Sequence, residues 1–475
     1  MTSAGIWGHR RYWPSQDAES LSEADALGRI LGGEDDSVGE AFVLSRVERT
    51  RHLYILGATG SGKTNLILQL LAHDVAANES ILVVDLRGDL VDRVLIRLAA
   101  QDDDDCADRV TLIDLRDNDH IIGFNPLSGS AEAHSRAFQV LDALRSQSES
   151  WGIQLEETLR NCLIALAECG MTLLDVEPML TDSTVREAVL AQVTDTSVQA
   201  FFVRYAELSS EKQQSWFLPV LNKVTPLLGI PRLRLLFGAS NPIDLNKLLD
   251  TPGQIILVAL GIDRFHSAAR LAGSLLIGAI ESAIMARVDQ SESARNPVQL
   301  YVDEFEAMAT EAFGSIVAEG RRFGLSLTLS HQNLSQVPPN LRQAIRNNIR
   351  TQVFFQTGSI DARELRHELI LAEDEDVAIQ LQTLPVGQAY VVKRPDAPVK
   401  VRFHRSNEPA VARAKRAAFV ERVHAAQGSL TPAQALKATA AGREDFSPRR
   451  EPQSDPAGNA AFRHDRGPKR ARKER

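Results

Sequence analysis

Between His52 and Leu71 the chain reads HLYILGATGSGKTNLILQLL, and this stretch restricts its fold more than any other. A short apolar run, Leu53 to Leu56, leads into GATGSGKT, and that leads into residues with apolar positions at helical spacing. The eight residues match G-x-x-x-x-G-K-[ST], and the strand before and helix after them supply the context that gives the pattern meaning. A strand feeding a helix through a glycine-rich turn opens a βαβ crossover, so the chain is expected to build an α/β fold around a mostly parallel sheet. Gly60 and Gly62 let the backbone curl so that successive N–H groups converge on phosphate oxygens at the positive end of the helix. Lys63 adds a point charge for the β and γ phosphates, and Thr64 a hydroxyl for magnesium. The expected phosphate cradle is therefore Gly57, Ala58, Thr59, Gly60, Ser61, Gly62, Lys63 and Thr64.

The rest of the chain extends this pattern and then interrupts it. ILVVD (Ile81 to Asp85) and VTLID (Val110 to Asp114) are continuous apolar runs separated by a helical stretch, as buried parallel strands require. From about residue 131 to 249 helical periodicity replaces strand signals, in stretches such as SRAFQVLDALRSQ and LEETLRNCLIALAECG. Strands resume at QIILVAL, VQLYVDE, LSLTLS, TQVFFQ and GQAYVV. The expected organisation is an N-terminal extension over 1–50 with a weak strand at Ala41 to Leu44, and a nucleotide-binding α/β domain over 51–130 and 250–405. An all-α insert fills 131–249, helices follow over 406–440, and a disordered basic tail ends the chain over 441–475.

A net charge of −9 argues against a surface coated for general nucleic-acid or membrane adhesion, while leaving room for a locally basic channel. Cys106, Cys162 and Cys169 lie far apart with no CxxC pair, so neither a disulfide framework nor a cysteine metal site is signalled. The most apolar long window, Leu271 to Val288, carries Glu281 and Arg287; no membrane insertion and a cytoplasmic location are expected. The four aspartates Asp102 to Asp105 lack the glycine-punctuated spacing of a calcium loop and read as a solvated turn.

A metal held by Thr64 needs a carboxylate as well. VQLYVDEFEAM supplies one where an apolar run ends in Asp303 and Glu304, and strand C-terminal ends are where open parallel sheets bind ligands. Asp303 suits magnesium; Glu304 suits a general base for the attacking water. Roughly 240 residues separate Lys63 from Asp303, a spacing that favours a hydrolase with a large insert over small kinases and GTPase switches. The stretch EGRRFGLSLTLSHQN adds Arg321 and Arg322, then a strand ending at His331 and Gln332. A strand-end amide beside the acid pair can sense the γ phosphate. An arginine here is either surface decoration at a helix end or a finger completing a neighbour's site. His331 is a further candidate for lining the site.

Together RHLYILGATGSGKT, ILVVDLRGDL, VTLIDLRDNDHIIGFNPL, LYVDEFEAM, EGRRFGLSLTLSHQNLSQ and IRNNIRTQVFFQ resemble the FtsK/HerA superfamily of ring ATPases, and within it the type IV secretion coupling proteins of the TraD/TraG kind, here without their transmembrane anchor. The resemblance implies a RecA-like P-loop core using ATP and Mg2+, with Lys63 and Thr64 at phosphate and magnesium, and Asp303 as the magnesium acid. It implies Glu304 as catalytic base, Gln332 as γ-phosphate sensor and Arg321, ahead of Arg322, as the finger in trans. DLRGDL, Asp85 to Leu90, is similar to a DPKGD stretch of the family, and reads equally as a turn after a strand. By the same resemblance the chain is expected to assemble as a hexamer and pull double-stranded DNA through a pore, with a nuclease, a relaxase or secretion components as partners. Two other readings remain: an assembly or secretion ATPase acting on protein, and an ATP-regulated scaffold ring for a separately encoded nuclease.

Overall fold

The computed structural model describes residues 26–444, apart from 33–36, 102–103, 240–241, 367–368 and 370–375. The tail expected to be disordered lies outside the described residues from position 445 onward, as does most of the N-terminal extension.

One eleven-stranded sheet organises the chain. In chain order its strands are β1 (Gly28–Gly32), β2 (Ser37–Phe42), β3 (Leu53–Leu56), β4 (Ser80–Asp85), β5 (Val110–Asp114) and β6 (Ile255–Ala259). β7 (Val298–Asp303), β8 (Leu325–His331), β9 (Thr351–Phe354), β10 (Gln388–Lys393) and β11 (Val399–Phe403) complete it. Across the sheet they lie in the order β2-β1-β11-β10-β9-β3-β8-β7-β4-β6-β5. From β9 to β5 every pairing is parallel, and from β9 to β2 every pairing is antiparallel.

The central strands are buried along their whole length because helices cover both faces. Successive residues point to opposite faces, so alternation along a strand sorts its side chains into two cores. Leu53, Ile55, Ile81, Val83, Ile255 and Leu257 pack with the helices Lys63–Ala76, Asp89–Ala100 and Arg413–Ala426. Tyr54, Leu56, Leu82, Val84, Leu300 and Val302 pack on the other side with the helix Ser267–Met285 and the helices that follow β5.

Among the described residues between β5 and β6 the chain is helical, from Ala133–Ser146 to Leu245–Asp250. β5 and β6 are parallel neighbours, Val110 opposite Ile255, so the excursion leaves and rejoins the sheet at adjacent positions. Its apolar side chains, including Phe201, Phe202 and Tyr205, are continuous with the core beneath the sheet.

Two features depart from the sequence reading. The described part of the N-terminal extension forms β1 and β2, which with β11 make an antiparallel edge; the candidate strand at Ala41 to Leu44 overlaps the observed Ser37–Phe42 at Ala41 and Phe42. In β1 and β11 the apolar residues are interrupted by Arg29, Lys400 and Arg402, so neither shows the continuous apolar run that marks a central strand. The second concerns the apolar window. The helical stretch Ser267–Asp289 is long and apolar enough to cross a membrane by length and composition, yet 78% of its most apolar window is buried inside the fold. The three cysteines are free thiols.

Candidate nucleotide site

The site forms at the C-terminal edge of the parallel strands. β3 ends at Leu56, and Gly57 to Gly62 cross to the helix Lys63–Ala76. Gly60 and Gly62 have φ of 78° and 125°, which a side chain would strain. A Cβ on Gly62 would also approach the Phe355 ring at 3.0 Å and the Gly387 backbone at 3.2 Å. Distant segments brace the loop: Ala58 N–H donates to the Gln356 carbonyl at 2.7 Å, and Gly387 N–H to that of Ser61 at 2.9 Å.

Lys63 is 8% exposed, and its ammonium donates to the carbonyls of Gly57 at 2.7 Å and Ala58 at 3.1 Å. Burial lowers its pKa, opposed by Asp303 and Glu304. Ser61 Oγ is buried without a hydrogen-bond partner, and Gly62 offers no side-chain cap to the helix. An unspent hydroxyl, a buried cation and uncapped N–H groups at a helix start form a cradle that fits a chain of phosphates. Thr64, the second residue of the helix, sits half-buried beside them.

The acids arrive from neighbouring strands in register. Asp85 at the end of β4 lies opposite Asp303 at the end of β7, and Asp303 lies opposite Ser330 on β8. Ser330 Oγ donates to Asp303 Oδ1 at 2.8 Å, and the Glu304 N–H to the same oxygen at 3.2 Å. Burial pushes the Asp303 carboxyl up to about 6, with Asp85 and Glu304 adding to the shift and Ser330 and Lys63 opposing it. A carboxylate so placed gains from a nearby cation, which suits the expectation of magnesium at Asp303.

Glu304 leaves the strand in a left-handed conformation, φ 53° and ψ 45°, costing about 1–2 kcal/mol for a residue with a Cβ. That turn separates its side chain from Asp303. Glu304 Oε1 accepts from Gln332 Nε2 at 2.6 Å and from Arg87 Nε at 3.4 Å. Gln332 Oε1 in turn accepts from Thr59 Oγ1 of the phosphate loop at 2.8 Å. The candidate base, the candidate sensor and the loop thus form one chain of hydrogen bonds.

Other neighbours carry no individual role in the sequence reading. Arg87, from DLRGDL, pairs with Glu304 and at 3.2 Å with Asp263, and Glu304 raises its pKa. Asp85 is more than a turn residue: it caps the next helix through the N–H groups of Leu90 at 2.7 Å and Val91 at 3.1 Å. Glu306 has a buried Oε2 without a hydrogen-bond partner, and burial pushes its carboxyl up to about 7. Glu306 was visible as the third acid of VDEFEAM, but its burial was not.

His331 does not line the site. It is fully buried, its Nε2 meets the Tyr54 hydroxyl, and its ring lies 5.1 Å from Phe305. Burial lowers its pKa to about 3, so it is a neutral core residue. Side-chain alternation explains the difference: His331 is the last strand residue and points inward, leaving Gln332 to face the loop.

Arg321 and Arg322 are exposed in the turn Gly320–Phe323 that precedes β8. Their end of the strand is opposite to that of Gln332, about 20 Å away at the strand rise per residue. Arg321 lies close enough to His52, before β3, to help burial lower that imidazole's pKa to about 4. Arg322 is tied locally, its guanidinium 5.7 Å from the Phe323 ring.

A family described as "Helicase HerA, central domain" matches residues 41–215. The chain is 21% identical over 384 residues to a DNA double-strand break repair helicase HerA from Sulfolobus acidocaldarius, covering 78% of this chain and 69% of that protein. Among solved structures it is similar to the bacterial conjugative coupling protein TrwB lacking its first 70 residues, with TM-score 0.57 and 16% identity over 80% of this chain and 90% of that one. TrwB has also been solved with ADP and Mg2+, with TM-score 0.54 and 16% identity over 82% of this chain and 96% of that one. VirB4 of Thermoanaerobacter pseudethanolicus gives TM-score 0.53 and 14% identity, covering 82% and 96%. The structural likenesses establish a shared P-loop fold.

Proposed function

We propose that this chain, a member of the FtsK/HerA superfamily, is an ATP-driven motor that works as a hexameric ring on double-stranded DNA, in conjugative transfer, DNA processing or defence. The observation that carries the reading is the hydrogen-bond chain from Thr59 through Gln332 to Glu304. It couples the phosphate loop to the base through the end of β8, and the other end of β8 presents Arg321 to solvent. A change at one subunit's phosphates can therefore reach a neighbour's site along a single strand, as a ring motor requires.

Bound ATP with Mg2+ supplies the phosphoanhydride bond and the cation that offsets charge on its phosphates. Lys63 and the N–H groups of Gly60 to Thr64 would hold the phosphates, and Thr64 and Asp303 would hold the cation. Gln332 and Arg87 hold Glu304 Oε1, which orients the carboxylate so that its Oε2 takes the proton of the attacking water. Arg321 lies too far from its own loop to act there, so its place is in the adjoining subunit's site.

DNA as cargo rests on the likeness to the HerA helicase and the conjugative coupling protein, with a nuclease or relaxase as the partner class. The decisive measurement is ATP hydrolysis by the full chain with and without double-stranded DNA. Stimulation that falls steeply with salt is expected, abolished by Lys63→Ala and by Glu304→Gln, the latter retaining nucleotide binding. Hydrolysis indifferent to every nucleic acid, with secretion components recovered from pulldowns, would favour a protein-directed ATPase. If a DNA-stimulated ATPase leaves a tethered roadblock in place, the ring is a scaffold.

A further inference from the structure

We propose that Asp117, His120 and His424 form a binding site for a divalent d-block cation of the zinc type, fastening the C-terminal helix to the end of β5. Asp117 and His120 lie in the loop after β5, and His424 in the last turn of the helix Arg413–Ala426. Separate contacts bring them together: Gln427 accepts from the Leu112 N–H at 2.7 Å and donates to its carbonyl at 3.1 Å, and Ile121 pairs with Leu430.

One donor atom from each of the three side chains lies within 4.8 Å of the other two. Asp117 Oδ1 is occupied by the N–H groups of Asp119 at 2.8 Å and His120 at 3.3 Å, which turns Oδ2 toward the imidazoles. Oδ2 lies 3.1 Å from His120 Nδ1 and 3.2 Å from His424 Nε2. His424 is 5% exposed, and its Nε2 makes no hydrogen bond: it faces Oδ2 in a direction a shared proton does not satisfy. Donors about 2.0–2.1 Å from a tetrahedral zinc stand roughly 3.3 Å apart, close to both separations.

The outer nitrogens are placed as ligating histidines need. His424 Nδ1 lies 3.0 Å from Ser429 Oγ, the acceptor for its proton when Nε2 is a ligand, and 3.1 Å from Gln427 Nε2, which donates to the Leu112 carbonyl and Ser429 Oγ; His120 Nε2 lies 3.6 Å from Glu421 Oε2. The two rings stack at 4.0 Å and 8°, which keeps their lone pairs in parallel planes, so coordination asks the more exposed His120 ring to rotate out of the stack. Two imidazoles and one carboxylate select zinc, cobalt or nickel over magnesium or calcium, which prefer all-oxygen sets. Asp117 and His120 side chains are 20% and 23% exposed, leaving room for water at a fourth position. β5 ends the sheet on the side away from the antiparallel edge, roughly 24 Å from β3 at the ~4.8 Å strand spacing, so this site is separate from the phosphate loop.

The test is titration of chelator-stripped full-length protein with zinc chloride by calorimetry, magnesium being present to occupy oxygen-rich sites, and with cobalt(II) followed by visible absorption. One equivalent is expected, with a tetrahedral cobalt spectrum and a zinc-dependent rise in melting temperature. His120→Ala, at the more exposed ligand, should weaken zinc binding at least about tenfold and abolish the rise, leaving magnesium-dependent ATP hydrolysis unchanged. His424→Gln should weaken zinc binding likewise. Failure of the wild-type protein to take up zinc, or equal uptake by wild type and His120→Ala, would overturn the proposal.

Discussion

Gln332 holds Glu304 in place, donating to its Oε1 at 2.6 Å while accepting from Thr59 at 2.8 Å. Gln332→Ala removes both contacts and leaves Glu304, the proposed base, tethered only by Arg87. We expect kcat to fall by about tenfold to a hundredfold with little change in nucleotide affinity, because the lost group positions the base rather than holding phosphate. Steady-state kinetics alongside direct nucleotide titration separate the two. Weakened binding with unchanged turnover would reassign Gln332 to the binding machinery.

Arg321 is exposed at the opposite end of β8 from Gln332. Arg321→Ala should lower ATP hydrolysis at least about a hundredfold, and Arg322→Ala far less. Mixing Arg321→Ala subunits with Lys63→Ala subunits should restore part of the activity, since each inactive type supplies what the other's interface lacks. No recovery on mixing would place its effect within one subunit.

Asp303 titrates at about 6, raised chiefly by burial. Its contribution to stability is present below the ordinary carboxylate range near 4 and is lost as pH rises through 6, because the folded site favours the protonated form. Magnesium binding needs the carboxylate, so it runs the other way. Magnesium-dependent nucleotide affinity should weaken as pH falls from 7 to 5, and Asp303→Asn should bind weakly and without that dependence. Fluorescent-nucleotide titration at fixed free magnesium tests both.

Glu281 lies 8% exposed in the helix Ser267–Met285, and burial pushes its carboxyl up to about 7, with Glu319 and Asp142 adding to the shift and Gln139 opposing it. It favours folding while protonated and penalises it as pH rises through 7. Glu281→Gln should therefore raise the melting temperature at pH 8, by the equivalent of about 1–2 kcal/mol, and leave it nearly unchanged at pH 5. An equal shift at both values would mean that packing, not charge, governs the position.

The amino-acid sequence alone determined the features that depend on neighbours along the chain. The loop from Gly57 to Thr64 declares itself because turn, charge and helix start are consecutive. Asp303 and Glu304 do so because a buried strand that ends in acids is a local pattern, and the helical stretch after β5 follows from periodicity. Only the tertiary structure decided which strand ends share an edge: Asp303 beside Ser330 and Asp85, Gln332 against both Thr59 and Glu304, and Gly387 bracing Ser61. It also sent His331 into the core, drew β1, β2 and β11 into the sheet, and set His120 beside His424. The reason is physical. Parallel strands pair across long connections whose order in space is settled by burying two faces at once, and no window of sequence contains both partners of such a pair.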